Sequence, residues 1–193
     1  MIHRLLLWWL RYRNRPGEFS FPGALLRARR LLVFIPGPKE PFRQAEYFLS
    51  RVPRVFPRTK VTLLYPPRSI AATFYNPYGF EVVVPAVGEV GPFGWPRRKL
   101  LRRLFARPFD LIITLDKEPS LFFAAVLVKS QTPARIGLPG GLGVPFTSVE
   151  LRPARRSADP RTEFILFIEM MRTLVTPPPA VGPLGETGVP QTH

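Results

Sequence analysis

The residues best suited to chemistry in this chain lie directly after its most regular strand pattern. The segment FDLIITL (Phe109–Leu115) is followed at once by Asp116, Lys117 and Glu118. Open α/β sheets bind ligands just past the carboxyl ends of such strands, so Asp116 or Glu118 could act as a general base or contact a ligand. A strand-to-helix turn would use the same residues, because carboxylates are stabilised near the positive N-terminus of a helix beginning at Pro119. We favour the turn and keep Asp116 as a candidate catalytic residue.

Metal and thiol chemistry have little support in this composition. The chain has no cysteine, and its two histidines, His3 and His193, stand at opposite ends. Disulfides, thiolate sites and a Ser-His-Asp triad are thereby excluded. The glycine-rich segment Gly137–Gly143 lacks the Lys-Ser/Thr of a phosphate-binding loop and precedes no predicted helix, so it is interpreted as a plain turn. We therefore predict no metal and no cofactor.

Positive charge is the strongest chemical signal in the sequence. Lys and Arg number 28 against 13 Asp and Glu, which leaves a net charge of +15 over 193 residues. Residues 1–30 hold seven arginines and one glutamate, and residues 97–107 hold six basic residues and no acid. Such a field attracts polyanions, although a basic run can also be a solvated face that maintains solubility. The predicted contacts to an anionic partner are Arg4, Arg11, Arg13, Arg15, Arg97, Arg98, Lys99, Arg102, Arg103 and Arg107.

The N-terminal stretch Met1–Arg15 predicts a basic amphipathic helix. Its apolar run, Leu5 to Leu10, is too short for a signal-peptide core or a membrane span. Trp8 and Trp9 are the predicted interfacial anchors, because tryptophan beside arginine suits a boundary between water and an apolar or anionic phase. Three interpretations stay open: an arm docked on its own domain, an anchor at a membrane surface, and an arm that binds nucleic acid or protein. On a helical wheel, one face carries Arg4, Arg11 and Arg15, and the opposite face carries Ile2, Leu5, Leu6 and Trp9.

The rest of the chain alternates apolar strand patterns with helical patterns, which implies a mostly parallel sheet flanked by helices. The predicted strands are Leu31–Ile35, Val61–Tyr65, Phe80–Val84, Phe109–Leu115, Ala134–Gly137 and an edge strand Phe146–Leu151. One predicted helix begins at Pro41 and extends through Val52. The other predicted helices are a short one near Arg68–Tyr75, the basic helix at about 97–107, Pro119–Ser130 and Arg161–Val175. We predict a single Rossmann-like α/β domain at residues 29–175, a basic arm at 1–28 and a disordered Pro/Gly-rich tail at 176–193.

This order of segments resembles a known family. The runs RRLLVFIPGP, FLSRVPRVFPRTKVTLLYPP, FEVVVPA and FDLIITLDKEPSLFFAAVLVKSQTPARIGLP resemble the N-terminal, acceptor-side half of heptosyltransferase-type glycosyltransferases with the GT-B fold. Nearly the whole chain also looks similar to a small group of uncharacterised Bacteroidetes-type single-domain proteins. The glycosyltransferase resemblance covers roughly residues 29–140 and implies a Rossmann-like fold there.

The chain departs from the glycosyltransferase pattern where that family does its chemistry. In the family, a Gly-Asp pair follows the first strand, and the aspartate is the proposed base. Here the loop reads Pro36-Gly37-Pro38-Lys39-Glu40-Pro41, so Glu40 is only a positional candidate. About fifty residues after Gly140 do not suffice for a second Rossmann-like domain to bind the donor. The resemblance therefore implies the fold and argues against the activity.

Three functions are compatible with these observations. The first is a non-catalytic protein that docks on an anionic partner, either RNA or a ribonucleoprotein, an anionic membrane surface or an acidic protein. The second is a degenerate or split glycosyltransferase half that acts with a separate donor domain, and the third is a small subunit of a larger assembly. The expected location is the cytoplasm, with peripheral association at the inner face of the membrane as an alternative. Because the first core strand begins near Leu31, deletion of residues 1–20 is expected to leave the domain folded.

Overall fold

The described part of the chain forms one parallel sheet with helices on both faces. The computed structural model describes residues 2–14, 17–21, 23–37, 41–67, 78–152 and 159–175. The strands are β1 (Arg30–Phe34), β2 (Lys60–Leu64), β3 (Glu81–Val83), β4 (Leu111–Thr114), β5 (Ala134–Gly137) and β6 (Val149–Glu150). The helices are α1 (Ile2–Arg13), α2 (Gly23–Arg27), α3 (Pro41–Leu49), α4 (Val52–Val55), α5 (Arg98–Leu104), α6 (Leu121–Lys129) and α7 (Pro160–Val175). The predicted fold class is confirmed.

The six strands lie in the order β3-β2-β1-β4-β5-β6, and every pairing is parallel. Strands β2 and β3 follow in turn on one side of β1, and β4, β5 and β6 follow in turn on its other side. The order therefore reverses between β1 and β4, where Phe34 pairs with Thr114. This reversal defines the place at the carboxyl edge where open α/β sheets form a crevice for ligands.

Alternating residues of each strand pack into two separate hydrophobic cores, one on each face of the sheet. In β1, Leu31 and Val33 face the core shared with α2, α3, α4 and α7, whereas Leu32 and Phe34 face the core shared with α1, α5 and α6. This alternation follows from the period of two in a strand, and continuous apolar runs are expected where both faces are covered. The two helical layers therefore lie on opposite faces of the sheet.

Helix α6 is buried on all sides, as its apolar sequence predicts. Every residue from Leu121 to Leu127 is buried, and Phe123 stacks on Phe34 of β1 with ring centroids 4.6 Å apart. A helix packs against a sheet with one side only, so the apolar residues on the outer side of α6 must be buried by another element. Helix α1 packs against α6 and is that element, and Leu10 of α1 is 1% exposed. The N-terminal stretch is therefore docked on its own domain, the first of the three interpretations of its sequence.

The predicted C-terminal helix is present with the expected start. The Asp159 carboxylate accepts hydrogen bonds from the Arg161 N–H at 3.0 Å and the Thr162 hydroxyl at 3.1 Å, which caps α7. The hydrogen bond from the Arg161 N–H lowers the pKa of Asp159. Further along α7, Phe167 contacts Phe48 of α3 with ring centroids 5.8 Å apart.

Three predicted elements differ from the structure by three or more residues at one end. The basic helix covers Arg98–Leu104 rather than 97–107. The predicted helix from Pro41 through Val52 is divided into α3 and α4, because Pro53 has no N–H to continue the ladder from Leu49. The predicted edge strand Phe146–Leu151 is reduced to Val149–Glu150. The N–H groups of Phe146 and Thr147 both bond to the carbonyl of Gly143, a turn that buries Phe146 beside α6.

Several predictions lie outside the described residues. These are the short helix near Arg68–Tyr75, the candidate residue Glu40, the arginine Arg15, the tail 176–193 and His193.

Candidate functional site

The carboxyl edge of the sheet holds the predicted catalytic candidate. Asp116 lies two residues after β4, beside the reversal of strand order, and its side chain is only partly exposed. One carboxylate oxygen accepts a hydrogen bond from the Glu118 N–H at 3.4 Å. Burial raises the pKa of Asp116 to about 6, since removal from water disfavours the ionised form. Asp116 can thus exchange a proton near neutral pH, which is a property of acid–base groups and also of buried turn carboxylates.

Lys117, the next residue, is committed to the structure. Its ammonium forms an ion pair with Glu163 of α7 and lies 5.1 Å from the ring centroid of Phe164. These contacts fasten the end of β4 to the helix on one face of the sheet. Lys117 therefore has a structural role and is not available to assist Asp116 in chemistry.

The glycine-rich turn Gly137–Gly143 packs against the backbone that carries Asp116. A side chain at Gly141 would place its Cβ 2.3 Å from the Asp116 carbonyl oxygen. Gly140 has φ of +89° and its Cβ position is 3.4 Å from the Lys117 carbonyl oxygen. These close approaches explain the glycines without a bound phosphate, in agreement with the plain-turn interpretation.

A cleft of about 740 Å³ lies past the carboxyl ends of β2 and β3. Its lining in the described chain consists of Pro67, the segment Pro85–Gly94 without Glu89, and Ser120–Phe122. None of these described lining residues is ionisable, and Asp116 is not among them. A second cleft of about 690 Å³, lined by Arg27, Asp110 and Lys129 among others, lies at the amino edge of the sheet. The catalytic candidate and the clefts therefore do not coincide in the described part of the molecule.

The two basic stretches of the sequence come together on one face of the sheet. Helices α1 and α5 belong to the same core as α6. Trp9 of α1 and Trp95, which lies two residues before Arg97, contact each other with ring centroids 6.3 Å apart. We call the exposed side chains of α1 and of residues 97–107 the basic face. Its exposed members are Arg4, Arg11, Arg13, Arg97, Arg98, Lys99, Arg102, Arg103 and Arg107.

Most of these cations have no carboxylate partner among the described residues. Arg103 is different, because its guanidinium contacts the buried Glu89 carboxylate at 2.6 Å and the Val84 carbonyl at 3.3 Å. A hydrogen bond from the Ala86 N–H, assisted by Arg103, lowers the pKa of Glu89. Arg103, predicted as a partner contact, is therefore engaged in holding the loop after β3. Arg11 donates to the Val144 carbonyl at 3.1 Å.

Sequence reasoning missed one polar centre that fixes the position of α1. Arg135 of β5 is 3% exposed and donates from Nη1 to the Oδ1 of Asn14 at 2.8 Å. Its Nε donates to the Thr132 carbonyl at 2.8 Å, and Nη2 donates to the Ser130 carbonyl at 3.2 Å. Burial lowers the pKa of Arg135 to about 10, so the group remains charged at neutral pH. The only available signal was an arginine inside an apolar strand pattern, which requires a buried partner.

Other chemistry is limited in the described chain. Within the ranges that the structure describes, no three His, Cys, Asp or Glu residues are grouped closely enough to hold a metal ion. None of the described helices is long and apolar enough to cross a membrane.

A six-stranded parallel sheet of this order, with helices on both faces, defines a Rossmann-like α/β domain. The solved structure of the glycosyl transferase family 9 protein from Veillonella parvula DSM 2008 is similar, with a TM-score of 0.59 and 17% sequence identity. The match covers 81% of this chain and 43% of that chain. The expected resemblance to a glycosyltransferase half is confirmed for the fold. No protein-family model and no curated protein matches the sequence.

Proposed function

We propose that this protein is a non-catalytic binding protein that docks on an anionic partner through its basic face. The observation that carries the proposal is the convergence of two distant basic stretches on one side of the sheet, next to the contact between Trp9 and Trp95. Neither α1 nor α5 contains an acidic residue. The resulting field attracts phosphate-bearing surfaces over several ångströms and strengthens as salt is lowered.

The placement of charge in the first turn of α5 supports a role in binding rather than in folding. Arg98 and Lys99 occupy the first turn of the helix, where the backbone dipole already provides positive charge. Each cation there costs about 0.3–1 kcal/mol when exposed. The like-charged pair Arg98–Arg102 is four residues apart and adds a few tenths of a kcal/mol, whereas Arg103 is compensated by its ion pair with Glu89. Arg102 and Arg103 lie in the last turn, where the helix dipole favours cations, so only the charges of the first turn are unfavourable for the helix itself. A bound anion would offset that cost.

The carboxyl edge supports the non-catalytic interpretation. A transferase must hold two substrates in line, and most of its rate comes from that positioning. Asp116 has a raised pKa, but its described side-chain contact is with its own turn, and Lys117 is paired with Glu163. The nearby cleft brings no ionisable side chain from the described residues.

Binding at two salt concentrations tests the proposal. The full-length protein is titrated with labelled single-stranded RNA and with vesicles that contain phosphatidylglycerol. A double variant, Arg98→Gln with Arg102→Gln, should bind about tenfold or more weakly at low salt, since each arginine near an anionic surface contributes roughly 1 kcal/mol.

The matched control is Arg54→Gln with Arg58→Gln, which removes two exposed arginines from the opposite side of the sheet. It should bind almost as tightly as the unaltered protein. Absence of binding to either probe at low salt, or an equal loss in the control, would contradict the proposal.

A second candidate function is a glycosyltransferase half that acts with a donor domain from another chain. It is favoured by the structural similarity, in which the chain matches 43% of a glycosyl transferase family 9 protein. Co-purification from the native cell, followed by mass spectrometry, should then recover a protein with a second Rossmann-like domain. Sugar transfer by the complex should fall in Asp116→Asn or Glu40→Gln. If no such partner is recovered, this candidate is excluded.

A further inference from the structure

The outward side of α1 identifies which anionic partner fits the basic face. We propose that α1 lies on an anionic lipid bilayer and inserts its exposed apolar side chains among the headgroups. We call those side chains, Leu5, Trp8, Trp9 and Tyr12, the outer stripe. This inference rests on the proposed function and names the partner of the same surface.

The outer stripe is held in place because the opposite side of α1 is anchored. Leu10 is buried against the α6 core, and Leu6 and Leu7 pack partly against it. Asn14, immediately after the helix, accepts a hydrogen bond from the buried Arg135 guanidinium at 2.8 Å. These contacts fix the rotation of α1 about its axis. The side chains that remain must therefore point away from the protein.

The outer stripe is unusually apolar for a surface. Leu5 is 61% exposed, Trp8 67%, Trp9 41% and Tyr12 81%. Residues three and four apart lie on one side of a helix, so the stripe is continuous. Large exposed apolar patches on soluble domains mark sites of interaction rather than accidents of packing.

Two loops that contact α1 also carry exposed apolar side chains. Phe93 is 64% exposed and has φ of +59°, a left-handed conformation that is costly for a residue with a bulky side chain. It stands two residues before Trp95, which contacts Trp9. Val144 is 63% exposed, and its carbonyl accepts the hydrogen bond from Arg11. Two loops that contact α1 thus carry further exposed apolar side chains.

The chemistry of this surface matches the boundary of an anionic membrane. Tryptophan and tyrosine place a ring in the apolar zone and a polar atom at the headgroups, and leucine enters the acyl region. The exposed Arg4 and Arg11 belong to the same helix and can reach lipid phosphates. Charge complementarity and apolar burial therefore act together along one helix.

The same surface is less suited to RNA. Single-stranded nucleic acid binds by stacking its bases on free aromatic faces. Here Trp8 and Tyr12 stack on each other at 6.5 Å, and the guanidinium of Arg13 lies 4.9 Å from the Trp9 ring centroid. Leu5 and Val144 offer no surface for stacking, whereas lipid accepts all of these side chains.

The test separates apolar insertion from charge attraction. The full-length protein is floated with vesicles of phosphatidylcholine alone and of phosphatidylcholine mixed with phosphatidylglycerol. A triple variant, Leu5→Ser, Trp8→Ser and Tyr12→Ser, retains every charge and alters only exposed side chains. It should bind the anionic vesicles at least about tenfold more weakly, because each large apolar side chain contributes well over a factor of ten when fully buried. Brominated lipid should quench the tryptophan fluorescence of the unaltered protein.

Circular dichroism melting checks that the triple variant folds, and labelled RNA is titrated in parallel. Weaker vesicle binding by the folded variant, together with quenching in the unaltered protein, supports the inference. Binding to RNA without binding to vesicles would overturn it and leave the proposed function standing. Equal vesicle binding by the variant would also overturn it, because the attraction would then be purely electrostatic. Binding to neither probe would overturn both proposals.

Discussion

At the scale of single residues, the contact between Asn14 and Arg135 joins segments that are 121 residues apart. A buried guanidinium needs all of its donors paired, and the described chain provides neutral oxygens from Asn14, Thr132 and Ser130 instead of a carboxylate. Asn14 also donates to the Pro145 carbonyl, so one amide connects α1, β5 and the loop before β6. This network makes the position of α1 specific rather than merely apolar.

We expect Asn14→Ala to lower the free energy of unfolding by about 1–3 kcal/mol, since it leaves an Arg135 donor buried and unpaired. Urea denaturation with a spectroscopic probe measures the change. The control is Arg4→Gln, at an exposed position on the same helix, which should change stability by less than about 0.5 kcal/mol. If Asn14→Ala is equally neutral, the network does not hold the helix.

Two glycines provide a matched test of the packing beneath Asp116. At Gly141 a Cβ would lie 2.3 Å from the Asp116 carbonyl oxygen, whereas at Gly37 it would meet nothing within 4 Å. Gly141→Ala should therefore destabilise the protein by about 2–3 kcal/mol through overpacking. Gly37→Ala should be neutral or stabilising by a few tenths of a kcal/mol. Thermal melts of the two variants should differ clearly, and similar melting temperatures would show that the turn moves to accept the methyl group.

Asp116 makes stability depend on pH in a direction opposite to that of a typical surface carboxylate. Burial raises its pKa from 3.8 to about 6, so the native state binds the proton more tightly than the unfolded state. Its favourable contribution is complete below about pH 4 and is lost as the pH rises through about 6, a change of up to about 3 kcal/mol. Asp116→Asn should flatten the stability profile over this window and raise stability at pH 7. Parallel profiles for the two proteins would mean that the carboxylate is solvated in the native state.

At the scale of elements, α1 shows what periodicity can and cannot predict. The sequence indicated a helix, and the structure has it at Ile2–Arg13. The helical wheel placed Leu5 and Trp9 on the apolar face, but the docked side is formed by Leu6, Leu7 and Leu10. Six consecutive apolar residues, Leu5 to Leu10, are distributed around the whole circumference of the helix. A helical wheel therefore does not determine which side packs against the domain. That choice depends on α6 and Arg135, which are distant in sequence.

The strands were easier to predict because their signal is local. Continuous apolar runs marked β1, β2 and β4, and both sheet faces are indeed covered. The edge strand was overestimated because the sequence does not show that the turn after Gly143 directs Phe146 inward. For the candidate site, the position of Asp116 at the carboxyl edge followed from its place directly after the strand pattern FDLIITL. The ion pairs of Lys117 and Arg103 could not be predicted in this way, because their partners Glu163 and Glu89 come close only in the folded chain.

Because α1 packs against α6, we now expect residues 1–20 to be needed for the stability of the domain, in contrast to the expectation from the sequence. Their removal would expose the outer side of α6, whose residues Leu121–Leu127 are all buried, and would leave Arg135 without Asn14. We expect the truncated protein to lose cooperative unfolding in calorimetry. A matched pair of variants refines the test: Leu10→Ala should cost about 2–5 kcal/mol, whereas Leu5→Ala should be nearly neutral. A truncated protein that melts like the full chain would contradict the docked arrangement.

At the scale of the whole molecule, charge is distributed unequally across the sheet. Helices α1 and α5 carry seven basic residues and no acid. The helices on the other side carry three acids against five arginines, namely Glu46, Glu163 and Glu169 against Arg27, Arg43, Arg54, Arg161 and Arg172. The sheet separates the two helical layers, so the basic face is not neutralised by these carboxylates. A partner approaching the molecule therefore encounters a strongly oriented field.

This asymmetry predicts a thermal stabilisation by polyanions that depends on one face alone. A ligand that binds only the native state at about one hundred times its Kd stabilises by about 2.7 kcal/mol, which raises the melting temperature of a domain of this size by roughly 5–10 °C. Inorganic polyphosphate at low salt is a suitable soluble probe. The rise in melting temperature should fall to less than half of the value for the unaltered protein in Arg98→Gln with Arg102→Gln, and it should persist in Arg54→Gln with Arg58→Gln. At high salt it should disappear, because screening removes the attraction. Equal shifts in the two double variants would mean that net charge, and not its arrangement on the basic face, governs binding.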